Sequence, residues 1–148
     1  MTQQEFNRMM SKKEDFSISD ELFLSPEHKG LFENYLQRDR TRKEDKERKA
    51  LFFILSGCPD LISKGIDRIY DFTDHHLQFG PDEEEMEKYL SRFSLCSSSR
   101  ALLLMACNLY NGSYKSMTFA DTFYNLGEDL RSLALNALKI RFERKFIC

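Results

Sequence analysis

The run Ala101 to Cys107, ALLLMAC, places seven apolar residues in succession, and up to Leu109 only Asn108 interrupts it. Serines at 97–99 offer amide acceptors before the run, and Asn111-Gly112 tolerates the left-handed conformation with which helices stop. A helix that is apolar on every side has to be surrounded by other elements. The chain has 148 residues, enough to bury a core without staples, and only three prolines and six glycines. So few breakers favour long helices over a many-turned β sandwich. The expectation is an all-α, compact single-domain bundle of five to seven helices around a central apolar helix at 101–111. Residues 1–24 are read as an N-terminal arm or short helix, and residues 25–148 as the helical domain.

The other helices are read from periodicity and end signals. Ser25-Pro26-Glu27 opens one that buries Leu31, Phe32, Tyr35 and Leu36, and it either breaks near Asp39 or runs on. RKEDKERKALFFILS at 42–56 has the helix-forming composition, with Gly57 and Pro59 as its stop. Pro59-Asp60 opens a third, carrying Leu61, Ile62, Ile66, Ile69 and Tyr70, with Gly65 inside it. DFTDHHLQFG at 71–80 reads as loop. Pro81 followed by four acids opens a short helix with Met86, Tyr89, Leu90 and Phe93 inward. Asn125 with Glu128 has the form of a capping box for a last helix from about Leu126 to Phe142.

Charge narrows the function classes. Net charge is −2 and the sequence pI is about 6.0, far from the basic range of a dedicated nucleic-acid domain. Residues 38–49 hold seven bases and four acids, residues 82–87 five acids and no base, and residues 139–145 four bases and one acid. Interleaved acids suit i,i+4 pairing on a solvated face, whereas the bases alone suit phosphates if folding gathers them. Acids at a helix start complement the macrodipole or mimic a phosphate backbone. Arg38, Arg40, Arg42 and Lys43, and Asp82, Glu83, Glu84 and Glu85, are therefore the candidate partner-binding residues. The cysteines at 58, 96, 107 and 148 match no zinc or redox spacing. The start of the chain lacks a signal-peptide core, and no apolar run approaches 18 residues. A cytoplasmic protein without cofactor or metal is expected.

Catalytic motifs are sparse. Asp74-His75-His76 could bind a metal, with His28 joining from elsewhere, but sequence neighbours point apart and no metal-ligand spacing supports them. The letters DHH also name a phosphoesterase signature whose other acidic motifs are missing here. Cys107 reads as core, and Cys96, near a helix start, as a thiol with a depressed pKa. No nucleophile elbow or phosphate-cradling glycine loop occurs. Asn108 reads first as a structural pin, bonded to a preceding loop or to the Asp71-Phe72 region. Its other reading is one wall of a pocket collecting Asp71, Asp74, His75, Asn108 and Tyr110.

Four short segments in order carry a resemblance: SPEHKGLF near 25, KALFFILSG near 49, IYDF at 69–72 and ACNLYNG at 106–112. Together they resemble a family of uncharacterised proteins from Firmicutes and their phages and plasmids, over about residues 25–145. The family's Asp-Phe-Glu-Glu loop is Asp71-Phe72-Thr73-Asp74 here, and its Trp-containing stretch before the last segment is absent. The resemblance transfers no catalytic residues. It implies a small bacterial cytoplasmic protein, often on mobile elements. The expected function is non-enzymatic binding of another protein or ribonucleoprotein complex, such as inhibition of a host defence nuclease in the manner of an anti-CRISPR. The alternative is a nucleic-acid-binding or small-ligand-binding helical module. No membrane partner is expected.

Overall fold

The computed structural model describes residues 2–5, 18–80, 82–115 and 117–143. The fold is an all-α bundle, with seven helices of six residues or more among these residues.

Helix α1 spans Pro26–Asp39. Ser25 caps it by accepting from the His28 amide at 3.1 Å, and Pro26 sits where its missing N–H costs nothing. His28, Phe32, Tyr35 and Asp39 form its buried stripe, at spacings of four, three and four. The helix stops at Asp39 because Arg40 turns left-handed, φ 56°, and gives its amide back to Gln37. It does not run on into the charged stretch.

Helix α2 covers Lys46–Gly57, starting four residues later than position 42 because Asp45 caps it through the Arg48 amide. Every residue from Lys49 to Gly57 is buried. It packs against α1, against α3 (Pro59–Lys64), against α5 (Ser97–Tyr110) and against α7 (Glu128–Phe142). The apolar run expected at the centre lies in α5 and is buried there, but Leu104 and Asn108 leave one edge of α5 half-exposed, and Tyr110 is half-exposed on another side. The two helices share the centre, and α2 has the larger part of it.

Gly65 ends α3 rather than lying within it; its φ of 90° suits glycine, and a 3-10 turn, Ile66–Arg68, follows. The stretch read as loop contains a two-stranded antiparallel ribbon, β1 (Tyr70–Asp71) and β2 (His76–Leu77), with Tyr70 opposite Leu77 and Asp71 opposite His76. Helix α4 (Glu83–Leu90) is capped by Asp82 and buries Met86 and Leu90; Pro81, expected at its start, lies outside the described residues. Helix α6 (Phe119–Tyr124) is capped by Thr118. Gly127 stands at the cap position of α7, and Asn125 donates instead to Asp121 O at 2.7 Å, so the expected capping box does not form. From the N-terminal segment, Ile18, Leu22 and Phe23 pack onto the core, and Asn136 holds Leu22 O at 2.9 Å.

His28 fastens α1 to α2. Its Nε2–H donates to Phe53 O at 2.9 Å while Nδ1 accepts from the Leu24 amide at 3.1 Å, which fixes the neutral tautomer. Phe23 and Phe53 pack against the ring, and Phe32 packs against both of them. Gly57 makes this approach possible: a Cβ there would lie 2.8 Å from His28 Nε2 and collide with Leu133 Cδ1. Burial lowers the His28 pKa, partly offset by the bond to Phe53 O. A base with a depressed folded-state pKa favours folding above its unfolded pKa, near 6.5. That contribution is lost as pH falls through this value toward the folded one. The expected outcome is a urea midpoint that falls between pH 7.5 and 5.5, and falls less in His28→Gln. An equal fall in both proteins contradicts this role for His28.

Candidate functional site

The groups that could do chemistry gather where the end of α1, the start of α2 and the ribbon meet. Asp39 is their hub, with 2% of its side chain exposed. One carboxylate oxygen accepts from the Tyr70 hydroxyl at 2.7 Å and from His75 Nδ1 at 2.8 Å. The other accepts from the Thr41 hydroxyl at 2.6 Å and lies 3.8 Å from Arg48 Nε. Burial, then the Asp39 carboxylate, pushes the Tyr70 phenol up, so it remains a donor. Arg48 donates from Nε to the Tyr70 hydroxyl at 3.1 Å, from Nη1 to Asp45 at 2.8 Å and from Nη2 to the His75 carbonyl at 2.8 Å. Its guanidinium also faces the Tyr110 ring, 5.6 Å from the centroid.

Of the expected pocket residues, His75 and Tyr110 reach this cluster. Asp71 does not: its carboxylate accepts from the amides of Thr73 and Asp74, closing the ribbon's turn, and those bonds lower its pKa. Asp74 is exposed, 4.0 Å from His76 Nε2. Asn108 is a pin, but for the loop after its helix rather than before it, donating to Tyr114 O at 2.6 Å. A groove of about 340 Å³ does open beside the cluster, between His76–Gly80 and the residues Tyr110, Asn111 and Tyr114. Tyr110 alone of the five expected residues lines it. The five therefore do not line this groove together. Among the described residues, no cluster of three or more metal-ligating side chains occurs.

The charged candidates lie on separate elements. Arg38 pairs with Asp67 at 2.7 Å and stacks over Phe72 at 4.1 Å. Arg40, Arg42 and Lys43 are exposed on the turn between α1 and α2. Asp82, Glu83, Glu84 and Glu85 form the cap and first turn of α4, where Asp82 caps the Glu84 amide at 2.8 Å and Glu83 accepts from the Lys115 amide. The two basic runs do meet, through each other's acceptors: Arg141 lies 3.5 Å from Glu47, and Lys46 donates to Glu143 O at 3.1 Å. Arg144 and Lys145 lie outside the described residues.

Cys107 is buried, which pushes its thiol up. Cys96 is exposed at the start of α5, where the Ser98 and Ser99 hydroxyls draw its thiol down to about 7. It lies at the end of α5 opposite to Tyr110 and the cluster.

One surface was not anticipated from the sequence. Helix α7 buries Leu133, Ala134, Ala137 and Ile140. Its opposite face carries Leu135, 52% exposed, and Phe142, 63% exposed, two turns apart, with Arg141 over the Phe142 ring, while half-buried Leu138 at the edge of that face packs against the core. On α6, Phe119 and Tyr124 are also exposed. The last helix holds more apolar residues than one face can bury, and that surplus was the available signal.

Residues 19–147 match a family described as a family of unknown function, DUF6075. No curated protein and no solved structure matches the chain. Among the described residues, no helix is long and apolar enough to cross a membrane.

Proposed function

We propose that this chain, which belongs to that family of unknown function, works by binding another macromolecule through the outward face of α7. The observation that carries the reading is the exposed apolar pair Leu135 and Phe142 on the side of the helix facing away from the core, flanked by Leu138, which itself packs against the core. Contiguous exposed apolar groups on a small protein mark contact surfaces, and large rings at their centre supply most of the binding energy. The basic turn at Arg40, Arg42 and Lys43 and the acidic turn of α4 then steer the encounter rather than hold the complex. The partner class the family resemblance suggests is a bacterial defence nuclease, a protein or ribonucleoprotein complex, met in the cytoplasm of a host carrying a phage or plasmid. In this reading the protein is an anti-CRISPR-like inhibitor and needs no turnover of its own.

The test is capture from host cells by the full chain and by a Leu135→Glu/Phe142→Glu variant, with partners quantified by mass spectrometry. Both substitutions sit on exposed positions and leave the core face of α7 intact. The expected result is a partner whose recovery falls at least roughly tenfold with the variant, the loss of one or two contact anchors. Equal recovery by both proteins removes the α7 face as the binding surface. The nucleic-acid alternative predicts binding that weakens steeply with salt and depends on Arg40 and Arg42.

A further inference from the structure

His75 is held in a way that the docking of a ribbon does not require. It is a non-glycine residue with φ 60°, a conformation that costs a residue with a Cβ. Two bonds impose it: Arg48 Nη2 on its carbonyl and Asp39 on its ring. A carboxylate only accepts, so the His75 nitrogen facing Asp39, Nδ1, carries the hydrogen. In the neutral ring the lone pair then sits on Nε2. Almost half of the side chain, 47%, is exposed, and no described residue bonds to Nε2. A buried carboxylate behind an imidazole orients the ring and stabilises the positive charge that forms when the far nitrogen attacks or takes a proton.

We propose that His75 is a modification site, whose Nε2 accepts acyl groups from activated donors such as thioesters or acyl phosphates. The Nε2 lone pair attacks the carbonyl carbon and an N–C bond forms. The bond to the leaving thiolate or phosphate breaks with its electron pair. The Nδ1 proton of the resulting imidazolium is shared with Asp39 and passes to solvent, leaving a neutral acyl-imidazole. Asp39 is a positioning residue in this step. The proposal is independent of the α7 surface.

The same chain contains the control. His76 is more exposed, 59%, but its Nδ1 faces the Leu77 carbonyl at 2.7 Å rather than a buried carboxylate. Exposure alone therefore predicts that His76 reacts faster, and the proposal predicts the reverse. The experiment treats the full chain with diethyl pyrocarbonate and follows each histidine by peptide mass spectrometry over time. Attack by Nε2 forms the N–C bond and expels ethyl carbonate, which decays to carbon dioxide and ethanol. The expected result is modification of His75 on the order of tenfold faster than His76. Asp39→Asn slows His75 and leaves His76 unchanged, whereas Tyr70→Phe, which keeps the carboxylate–imidazole pair, leaves His75 fast. His76 reacting as fast as His75 in the unaltered chain overturns the proposal, and that comparison needs no variant to fold.

Discussion

Phe53→Ala is expected to destabilise the fold by about 3–5 kcal/mol, the range for truncating a large ring in a packed core. Phe53 has no exposed surface. Its ring lies 4.6 Å from His28, 5.4 Å from Phe23 and 6.0 Å from Phe32, centroid to centroid, so one truncation opens a void bordered by three other rings. The surrounding chain has little room to collapse into it, because Gly57 already lets α1 and α7 approach α2 as closely as their atoms allow. The Phe53 carbonyl remains, so His28 keeps its bond and the loss reports packing alone. Urea unfolding followed by circular dichroism checks the value. A loss below roughly 1 kcal/mol would mean that the joint between α1 and α2 is not where the core is tightest.

Asp39→Ala is expected to cost about 3 kcal/mol, through a different mechanism. The substitution removes little apolar contact. It leaves the buried Tyr70 hydroxyl without its acceptor and Arg48 short of one counter-charge. The fully buried case would cost more, but 29% of the Arg48 side chain and 47% of the His75 side chain reach solvent, which supplies replacement partners. The effect also has a location. The ribbon is held to α1 by the Asp39 bonds from Tyr70 and His75, so amide exchange in residues 70–77 is expected to rise more than in α5. A uniform rise across the molecule would indicate global destabilisation and contradict that role.

The helices were legible where local signals agreed. Ser25-Pro26 starts α1 because capping is decided within a few residues, whereas α5 stops at an extended Asn111, φ −145°, and not through the left-handed turn expected of Asn111-Gly112. The ribbon was not legible. Two paired residues on each side carry no periodicity, and their pairing depends on Asp39, far away in sequence. The hub itself had left a trace: Asp39 falls on the same helical stripe as His28, Phe32 and Tyr35, and a carboxylate on an apolar stripe has to find donors. Which donors answer it was beyond sequence reading, since Tyr70, His75 and Arg48 arrive from three different segments. Asn108 shows the same division. Its role as a pin follows from a polar group in an apolar helix, while its partner, the Tyr114 carbonyl, follows only from the path of the next loop. Leu135 and Phe142 lie among the other apolar residues of the last helix, and the helical wheel separates them from the core residues only once α2 fixes which side of α7 is inward.

The proposed contact with a partner lies on the outward face of α7. Photo-crosslinking reads this directly, with a photoreactive amino acid introduced singly at position 135 on that face, at 42 on the basic turn and at 84 on the acidic turn. The predicted result is a crosslink to one partner from position 135, stronger than from either charged turn. Crosslinks from 42 or 84 with none from 135 would contradict it and move the interface to the charged surface.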